Sequence, residues 1–514
     1  MSLLTPLTLL PLLGAVVLLF LPAANVAAQR LWTLAVTTVV AGLGVGLWLV
    51  FDGGIATAQQ VVDAPWFTLP YPGGEAVAVR YKLGADGLSL LMVGLTAILM
   101  PLVVLSSYGH IKERTKEFLV WLLVMETGML GVFLALDLVL FYFFWEVSLV
   151  PLYFMVGIWG GTNRLYATVK FFLYTLAGSL VMLVAVIALI ARAGTTDVPA
   201  LVAAHGASEP AWIFLAFALA FAIKVPVVPF HTWLADAHTE APTSGSVILA
   251  GILLKMGTYG LLRFGIQMFP ATAIDWAPLF MALGALGIVY GAFLSMAQND
   301  LKRLVACSSV SHLGFVVLGM FALTQAGLRG GVLQMVNHGL STGLLFLLVG
   351  MIYERRHSRM IDHFGGLAAT MPIFAFFFTL TVLSSVGLPG LNGFVGEYLI
   401  LLGSFSASPL WTCVGVTGVV LGAVYLLMAT RRVLYGPIIH EENRRMADLG
   451  AREVGLMLPL FLFVVWIGVQ PDAFLGKADA TLEALQERIE DVRGARETSR
   501  RAIEEALPAA EVAR

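Results

Sequence analysis

Eight ionisable side chains stand inside stretches of sequence that are otherwise apolar: Lys170, Lys224, Lys255, Glu126, Glu146, Glu397, His312 and His338. Lys224 lies in F-A-I-K-V-P-V-V-P-F, Glu146 in L-F-Y-F-F-W-E-V-S-L-V-P and Lys255 in I-L-L-K-M-G-T-Y-G. The chemistry open to such groups is proton exchange. An ammonium in a low-dielectric site holds its proton less tightly than in water, and a carboxylate brought beside it tightens that hold again. Moving the carboxylate's influence slightly then switches the amine between holding and releasing. Glu146 and Lys224 are expected to form such a valve, with a static buried ion pair joining two helices as the alternative. Glu126 stands near the middle of its apolar stretch, and Lys170 is close enough to an end to snorkel. His312 and His338 fall on consecutive stretches. An imidazole titrates near neutrality, so these two are expected to bridge Lys255 towards Glu397. Hydrogen-bonded core histidines are the alternative. A bis-histidine haem is chemically conceivable, but no second such pair accompanies it.

The elements that position these groups follow from composition. Of 514 residues, 59% are hydrophobic and 12% charged, against about 25% charged in an ordinary soluble protein. A single soluble core stops growing near ~300 residues. A cytosolic enzyme and a disordered chain are excluded, and a net charge of −2 offers no basic field for nucleic acid. The chain uses the bilayer as its solvent. A charge at mid-bilayer costs at least ~2.5–3.5 kcal/mol, so the buried ions need partners or water, and transport is the usual reason for keeping them.

Fourteen apolar runs are long enough for helical spans: 3–22, 31–51, 86–108, 118–136, 138–160, 165–192, 211–235, 243–268, 276–298, 302–324, 328–353, 371–405, 410–434 and 453–471. They are too long for barrel strands, so the expected fold is an all-α polytopic bundle. With the N-terminus outside, loops after odd-numbered spans carry Arg30, Lys112, Arg114, Lys116, Arg164, Lys302, Arg303, Arg355, Arg356, Arg359, Arg431, Arg432, Arg444, Arg445 and Arg452, 15 in all. The opposite loops carry 5: Arg80, Lys82, Arg192, Arg263 and Arg329. That positive-inside bias predicts both termini on the outer side. No Lys or Arg precedes Arg30, so the first run reads as a retained span rather than a signal peptide.

Two spans look broken. The seventh contains Pro226 and Pro229, each of which removes a backbone donor. The twelfth, Met371 to Ser404, would be ~50 Å long as a straight helix against a ~30 Å hydrocarbon core, and it holds Gly387, Pro389, Gly390, Asn392 and Gly393 just before Glu397. Broken helices line cavities and mark ion sites in transporters. The breaks lie five spans apart, so helices 4–8 and 9–13 are expected to form two five-helix repeats, the second inverted because each has an odd number of helices. The expected division is 1–117 (helices 1–3), 118–268 (first repeat), 276–434 (second repeat), 435–476 (last helix) and 477–514. In that last segment Leu482, Leu485, Ile489 and Val492 recur at helical spacing among charges, predicting an amphipathic helix that ends before Pro508. It is either a loose surface helix or a strap against a neighbouring subunit.

Cys307 and Cys413 lie far apart in apolar runs and read as packing residues, and no metal-ligand spacing exists. There is no Walker A sequence and no strand–G-x-G-x-x-G–helix context. No nucleotide, flavin or iron–sulfur cofactor is expected in this chain, so any driving redox reaction belongs to another chain.

The stretch P-F-H-T-W-L-A-D-A-H-T-E-A-P-T-S-G-S-V (Pro229–Val247) followed by I-L-A-G-I-L-L-K-M-G-T-Y-G resembles the signature of the antiporter-like membrane subunits of respiratory complex I, shared with Mrp-type cation/proton antiporters. N-D-L-K-R-L-V-A-C-S-S-V-S-H-L-G (Asn299–Gly314), V-N-H-G-L-S (Val336–Ser341) and G-L-P-G-L-N-G-F-V-G-E (Gly387–Glu397) fit the same family. L-like and N-like members carry lysine at the twelfth-span position. The M-like branch, equivalent to mitochondrial subunit 4, carries glutamate, as here at Glu397. Phe230 and Ala235 depart from the usual Leu and Pro without removing an ionisable group.

The resemblance implies a hydrated polar axis at mid-membrane, with Glu146, Lys224, Lys255 and Glu397 as principal proton-handling groups and His312 and His338 between them. It also implies one proton per turnover in this subunit of a bacterial cell membrane, driven by quinone reduction elsewhere. Flavin and iron–sulfur clusters would sit in partner subunits, and L-like and N-like subunits would flank the chain. A charge moved against ~100 mV costs ~2.3 kcal/mol, the scale on which a carboxylate retunes a neighbouring amine. A Mrp-type Na⁺/H⁺ antiporter subunit is the alternative, and Glu397 argues against it.

Overall fold

The computed structural model describes residues 2–70, 76–204 and 210–511, with the backbone alone for 502–511. Among these, the apolar helices fall into fourteen spans in chain order: Leu4–Phe20, Val26–Val50, Gly87–His110, Thr115–Leu134, Leu138–Trp159, Arg164–Ala193, Ala211–Lys224 with Thr232–Glu240, Thr243–Ile266, Pro270–Met296, Leu301–Phe321, Gln325–Arg356, Pro372–Val386 with Asn392–Ala407, Pro409–Leu434 and Ala451–Val469. Eleven are long and apolar enough to cross a membrane as one helix; the first span and the leading halves of the seventh and twelfth are shorter. The protein is a multi-pass membrane bundle in which helices 4–8 and 9–13 repeat one plan, each with a broken fourth member, inverted relative to one another.

Local chemistry sets the helix starts. Asp86, Asp137, Asp300, Asn25 and Thr324 each accept a hydrogen bond from a first-turn amide, satisfying donors that a helix leaves orphaned. Spans 8, 10 and 11 are wholly buried, while span 2 and span 14 turn most of their surface outwards. The buried three carry Lys255, His312 and His338. Three of the groups expected to move protons therefore sit on the most deeply buried helices.

Three features depart from the sequence reading. A β-hairpin, β1 (Gln59–Leu69) and β2 (Val77–Ala85), joins spans 2 and 3, where only a loop was expected. β2 begins in the alternating in–out pattern of a half-buried strand, Arg80 pairs with Asp63 across the hairpin, and Lys82 reaches Asp197 in the segment after span 6. The C-terminal helix, Asp479–Glu511, runs through Pro508. Proline removes one donor and frees one carbonyl, and so near a helix end, where the last carbonyls are unpaired in any case, the helix continues. Arg263, counted as an outer loop charge, is a buried residue of span 8 with its guanidinium 2.6 Å from Asp86. Replacing Arg263 by Met strands a buried carboxylate, and a loss of about 3–5 kcal/mol is expected, read as a lowered unfolding temperature of the purified assembly.

The C-terminal helix lies along the hairpin face. Leu482, Leu485 and Ile489 are buried, as their spacing predicts, and Val492 is half-buried. Gly87 N–H donates to Thr481 Oγ1 (3.1 Å), Arg329 pairs with Asp479 (3.0 Å) and Arg496 with Asp275 (2.5 Å). The strap thus ties spans 3, 9 and 11 together. The loops rich in Lys and Arg gather at the other face, where Arg355 pairs with Glu453 (2.7 Å) and His110 with Glu354 (3.3 Å).

Candidate functional site: a buried line of proton-exchanging groups

The break in span 7 leaves Lys224 at the last position of its first half, 2% exposed. Pro226 cannot donate, and the indole N–H of the buried Trp233 instead donates to the carbonyl of Ile223 at 2.9 Å, so the broken turn is satisfied from within the protein. The Lys224 ammonium lies over the rings of Trp145 and Phe171, 5.5 and 5.9 Å from their centroids. Glu146, on span 5, lies within Coulombic range of it, with one carboxyl oxygen buried and unpartnered. Among the described residues no carboxylate stands within 4.0 Å of the amine. The two groups expected to form the valve are therefore not joined in a closed ion pair.

Lys255 is fully buried in span 8 between two π-helical segments, Leu249–Leu253 and Leu261–Ile266. In the first, Leu254 N–H reaches back to Leu249 O and leaves Ala250 O to other donors. The Lys255 ammonium donates to that carbonyl. It also meets His338 Nδ1 at 2.6 Å. The other ring nitrogen of His338 is buried and unpartnered, and the His338 and His312 ring centroids are 6.0 Å apart. His312 Nδ1 is 3.4 Å from Glu397 Oε1, and Gln334 Nε2 donates to the same oxygen at 3.3 Å. Lys255, His338, His312 and Glu397 thus lie in that spatial order, the two histidines standing between the lysine and the glutamate.

The break in span 12 holds the far end. Gly387 takes φ +82°, and a Cβ there would lie 3.1 Å from Glu397 Oε2 and strain the backbone besides. Buried Asn392 opens the second half: its Oδ1 accepts from Ser384 Oγ (2.6 Å) and its carbonyl accepts from Asn337 Nδ2 (2.7 Å). Beside His312, His338 and Asn337 lies a polar cavity of ≈ 10 Å³, the threshold for a single water.

The two clusters meet through backbone. A Cβ on Gly257, two residues beyond Lys255, would stand 2.9 Å from Val225 N and 3.0 Å from Phe221 O. Gly257→Ala is expected to push the span 7 break aside at a cost of about 1–3 kcal/mol and to lower proton transport in assembled protein, measured by dye quenching in vesicles.

The remaining expected groups are placed differently. Glu126 is fully buried on span 4 with neither oxygen partnered and makes no ion pair with a described residue. Lys170 is held by Asp236 at 2.7 Å, which also binds Arg303 at 3.0 Å, so it ties span 6 to the second half of span 7. Sequence reasoning passed over His238 and Lys302. His238 is fully buried, stacks on Phe346 (4.7 Å between centroids), has no partner for either ring nitrogen, and lies within Coulombic reach of Lys302 and Lys255. Lys302 donates to Ala241 O at the floor of a cleft of ≈ 530 Å³ on the basic face. The signal was the second histidine and the Glu of H-T-W-L-A-D-A-H-T-E, directly after a break.

A broken-helix inverted repeat around a buried series of Lys, His and Glu defines an antiporter-like membrane subunit. Residues 135–422 match the family described as NADH:quinone oxidoreductase/Mrp antiporter, and residues 64–136 match NADH-ubiquinone oxidoreductase chain 4, amino terminus. The chain is 44% identical to NADH-quinone oxidoreductase subunit M of Rhodobacter capsulatus, covering 91% of this chain and 93% of that one. It superposes with a TM-score of 0.84 at 34% identity on a chain of respiratory complex I from Thermus thermophilus with bound NADH, over 95% of this chain and 99% of that one. A chain of the Mrp complex from Dietzia sp. shares the fold at 21% identity and a TM-score of 0.81, over 96% and 100% of the two chains. This chain belongs to the family of subunit M, or chain 4, of NADH:quinone oxidoreductase.

Proposed function

We propose that the chain translocates protons as a non-redox membrane subunit of NADH:quinone oxidoreductase, driven by quinone reduction in other subunits. The series Lys255–His338–His312–Glu397 carries this reading, its one gap, between the two imidazoles, bordered by the small polar cavity. The first unit, 118–268, loads a proton at Lys224 under the influence of Glu146. The second, 276–434, passes one along the imidazoles to Glu397, with Lys255 joining the two. Glu126 enters as a carboxyl off the main line. Flavin and iron–sulfur clusters belong to partner chains, and L-like and N-like subunits flank this one. On this reading the cleft faces the cytoplasm of a bacterial cell and both termini face the periplasm, an orientation that the positive-inside bias of the loops supports.

Affinity purification of the tagged chain from its native membrane tests the assignment. Flavin and iron–sulfur subunits are expected to copurify. A partner set holding only Mrp-type subunits, together with Na⁺/H⁺ exchange, overturns it.

A further inference from the structure

A second cavity lies away from the polar line. It has a volume of ≈ 330 Å³ and opens between spans 2, 3, 11 and 14 near their hairpin-side ends. Every side chain lining it is apolar or aromatic, among them Trp48, Leu95, Leu340, Trp466 and Phe474. Leu49 and Trp466 at its rim are 76% and 49% exposed. In a membrane bundle, exposed apolar side chains at that level face hydrocarbon, so the cavity opens to lipid and not to water. Phe474 packs between the two indoles, 5.8 Å from Trp48 and 5.1 Å from Trp466. Among the described residues neither indole N–H meets an acceptor. Both stand within a turn of a helix end, the depth at which tryptophan meets lipid headgroups.

One charge completes the site. Lys477 follows Phe474 by one turn, and its amide donates to the Phe474 carbonyl (3.2 Å). Its ammonium donates to Phe51 O at 2.7 Å, just past the end of span 2. That is a neutral partner, and among the described residues no carboxylate lies within 4.0 Å of the ammonium. Asp472, its near neighbour in sequence, turns to Arg329 instead. An apolar pocket with two indole donors in its wall and, one turn beyond Phe474, an ammonium without a carboxylate partner has the polarity profile of a phospholipid in reverse. We propose that the pocket holds one acyl chain of a membrane phospholipid, with the lipid phosphate at Lys477 and its ester carbonyls at the indoles. The chain would back Leu340 on span 11, the helix that carries His338.

Gly94 supplies the test. A Cβ there meets only Trp48 Cε3, at 4.0 Å, so Gly94→Leu grows into the cavity, whereas Gly94→Ala leaves most of it open. The purified whole assembly is reconstituted in phosphatidylcholine nanodiscs with a trace of phosphatidylglycerol bearing a diazirine in its acyl chain. It is then irradiated and mapped by mass spectrometry. Labelling at Trp48 and Phe474 is expected in the wild type and in Gly94→Ala, with loss of an order of magnitude in Gly94→Leu. Lys477→Gln is expected to lower it severalfold, the scale of one basic side chain's attraction to a headgroup. Unchanged labelling in assembled Gly94→Leu overturns the proposal. On the wild type alone, unlabelled phospholipid is expected to compete; displacement by excess ubiquinone but not by phospholipid overturns it equally, and needs no variant to fold.

Discussion

Lys224→Met, and separately Glu146→Ala, are expected to leave the chain inserted and assembled while lowering coupled proton pumping about a hundredfold or more, the low end of what a positioned proton-transfer group contributes. The geometry sharpens the expectation. Because the amine is not locked in a short ion pair, neither substitution strands a paired charge, and the stability loss seen when a buried pair is broken is not expected. Methionine keeps the stem that packs against Trp145 and Phe171 and removes only the ionisable end. NADH oxidation by a water-soluble acceptor, which bypasses the membrane arm, should stay at the wild-type rate. Normal pumping in either variant rejects the valve. Equal losses in pumping and soluble-acceptor activity trace the defect to assembly.

The second large effect is expected at the other end of the line. Glu397→Gln retains the acceptor for Gln334 Nε2 and the fit against Gly387 but removes the carboxylate that faces His312. Lys255→Met removes the partner of His338 and leaves Ala250 O without its donor. Both are expected to abolish most coupled pumping, and Glu397→Gln with the smaller loss of stability, because it unsatisfies no buried carbonyl. Assembled protein that pumps normally with Glu397→Gln excludes the series as the route. The choice of control matters: Arg359, a loop residue in sequence, pairs with Asp300 at 3.1 Å and donates to Thr239 O beside the cleft. Arg444, exposed and among the described residues paired only with Glu441 one turn away, is the better neutral site, and Arg444→Ala is expected to pump normally.

Much of this was legible in the sequence for a physical reason. Hydrocarbon thickness fixes span length, and the cost of burying charge makes each buried ion conspicuous. Spans, both breaks and the placing of two histidines between Lys255 and Glu397 therefore followed from runs, prolines, glycines and the adjacency of spans 10 and 11. What escaped depends on where a residue ends up rather than on its neighbours in the chain. Arg263 and Lys302 were counted as loop charges because they lie near the ends of apolar runs, yet both are buried. His238 stands in a polar stretch with no periodicity to announce an interior position. The hairpin carries too few residues per strand on an apolar face to compete with fourteen long runs. The stacking of the Lys224 ammonium on Trp145 and Phe171 also escaped, because a one-dimensional reading takes both rings as packing.

The π-helical turns around Lys255 have a consequence for how this helix tolerates change in length. Each residue advances an α-helix by about 100°, and a π turn holds one residue more than an α turn needs. Deleting a single residue from Leu249–Leu253 would let the backbone relax to ordinary winding, with every later side chain keeping its place. Removing one residue beyond that segment would instead swing the downstream face by a quarter-turn or more. The bulge thus acts as a register spacer: it sets the angular phase of the lysine independently of the rest of span 8, so a bundle that folds around a shortened helix would present a sound wall and a severed wire.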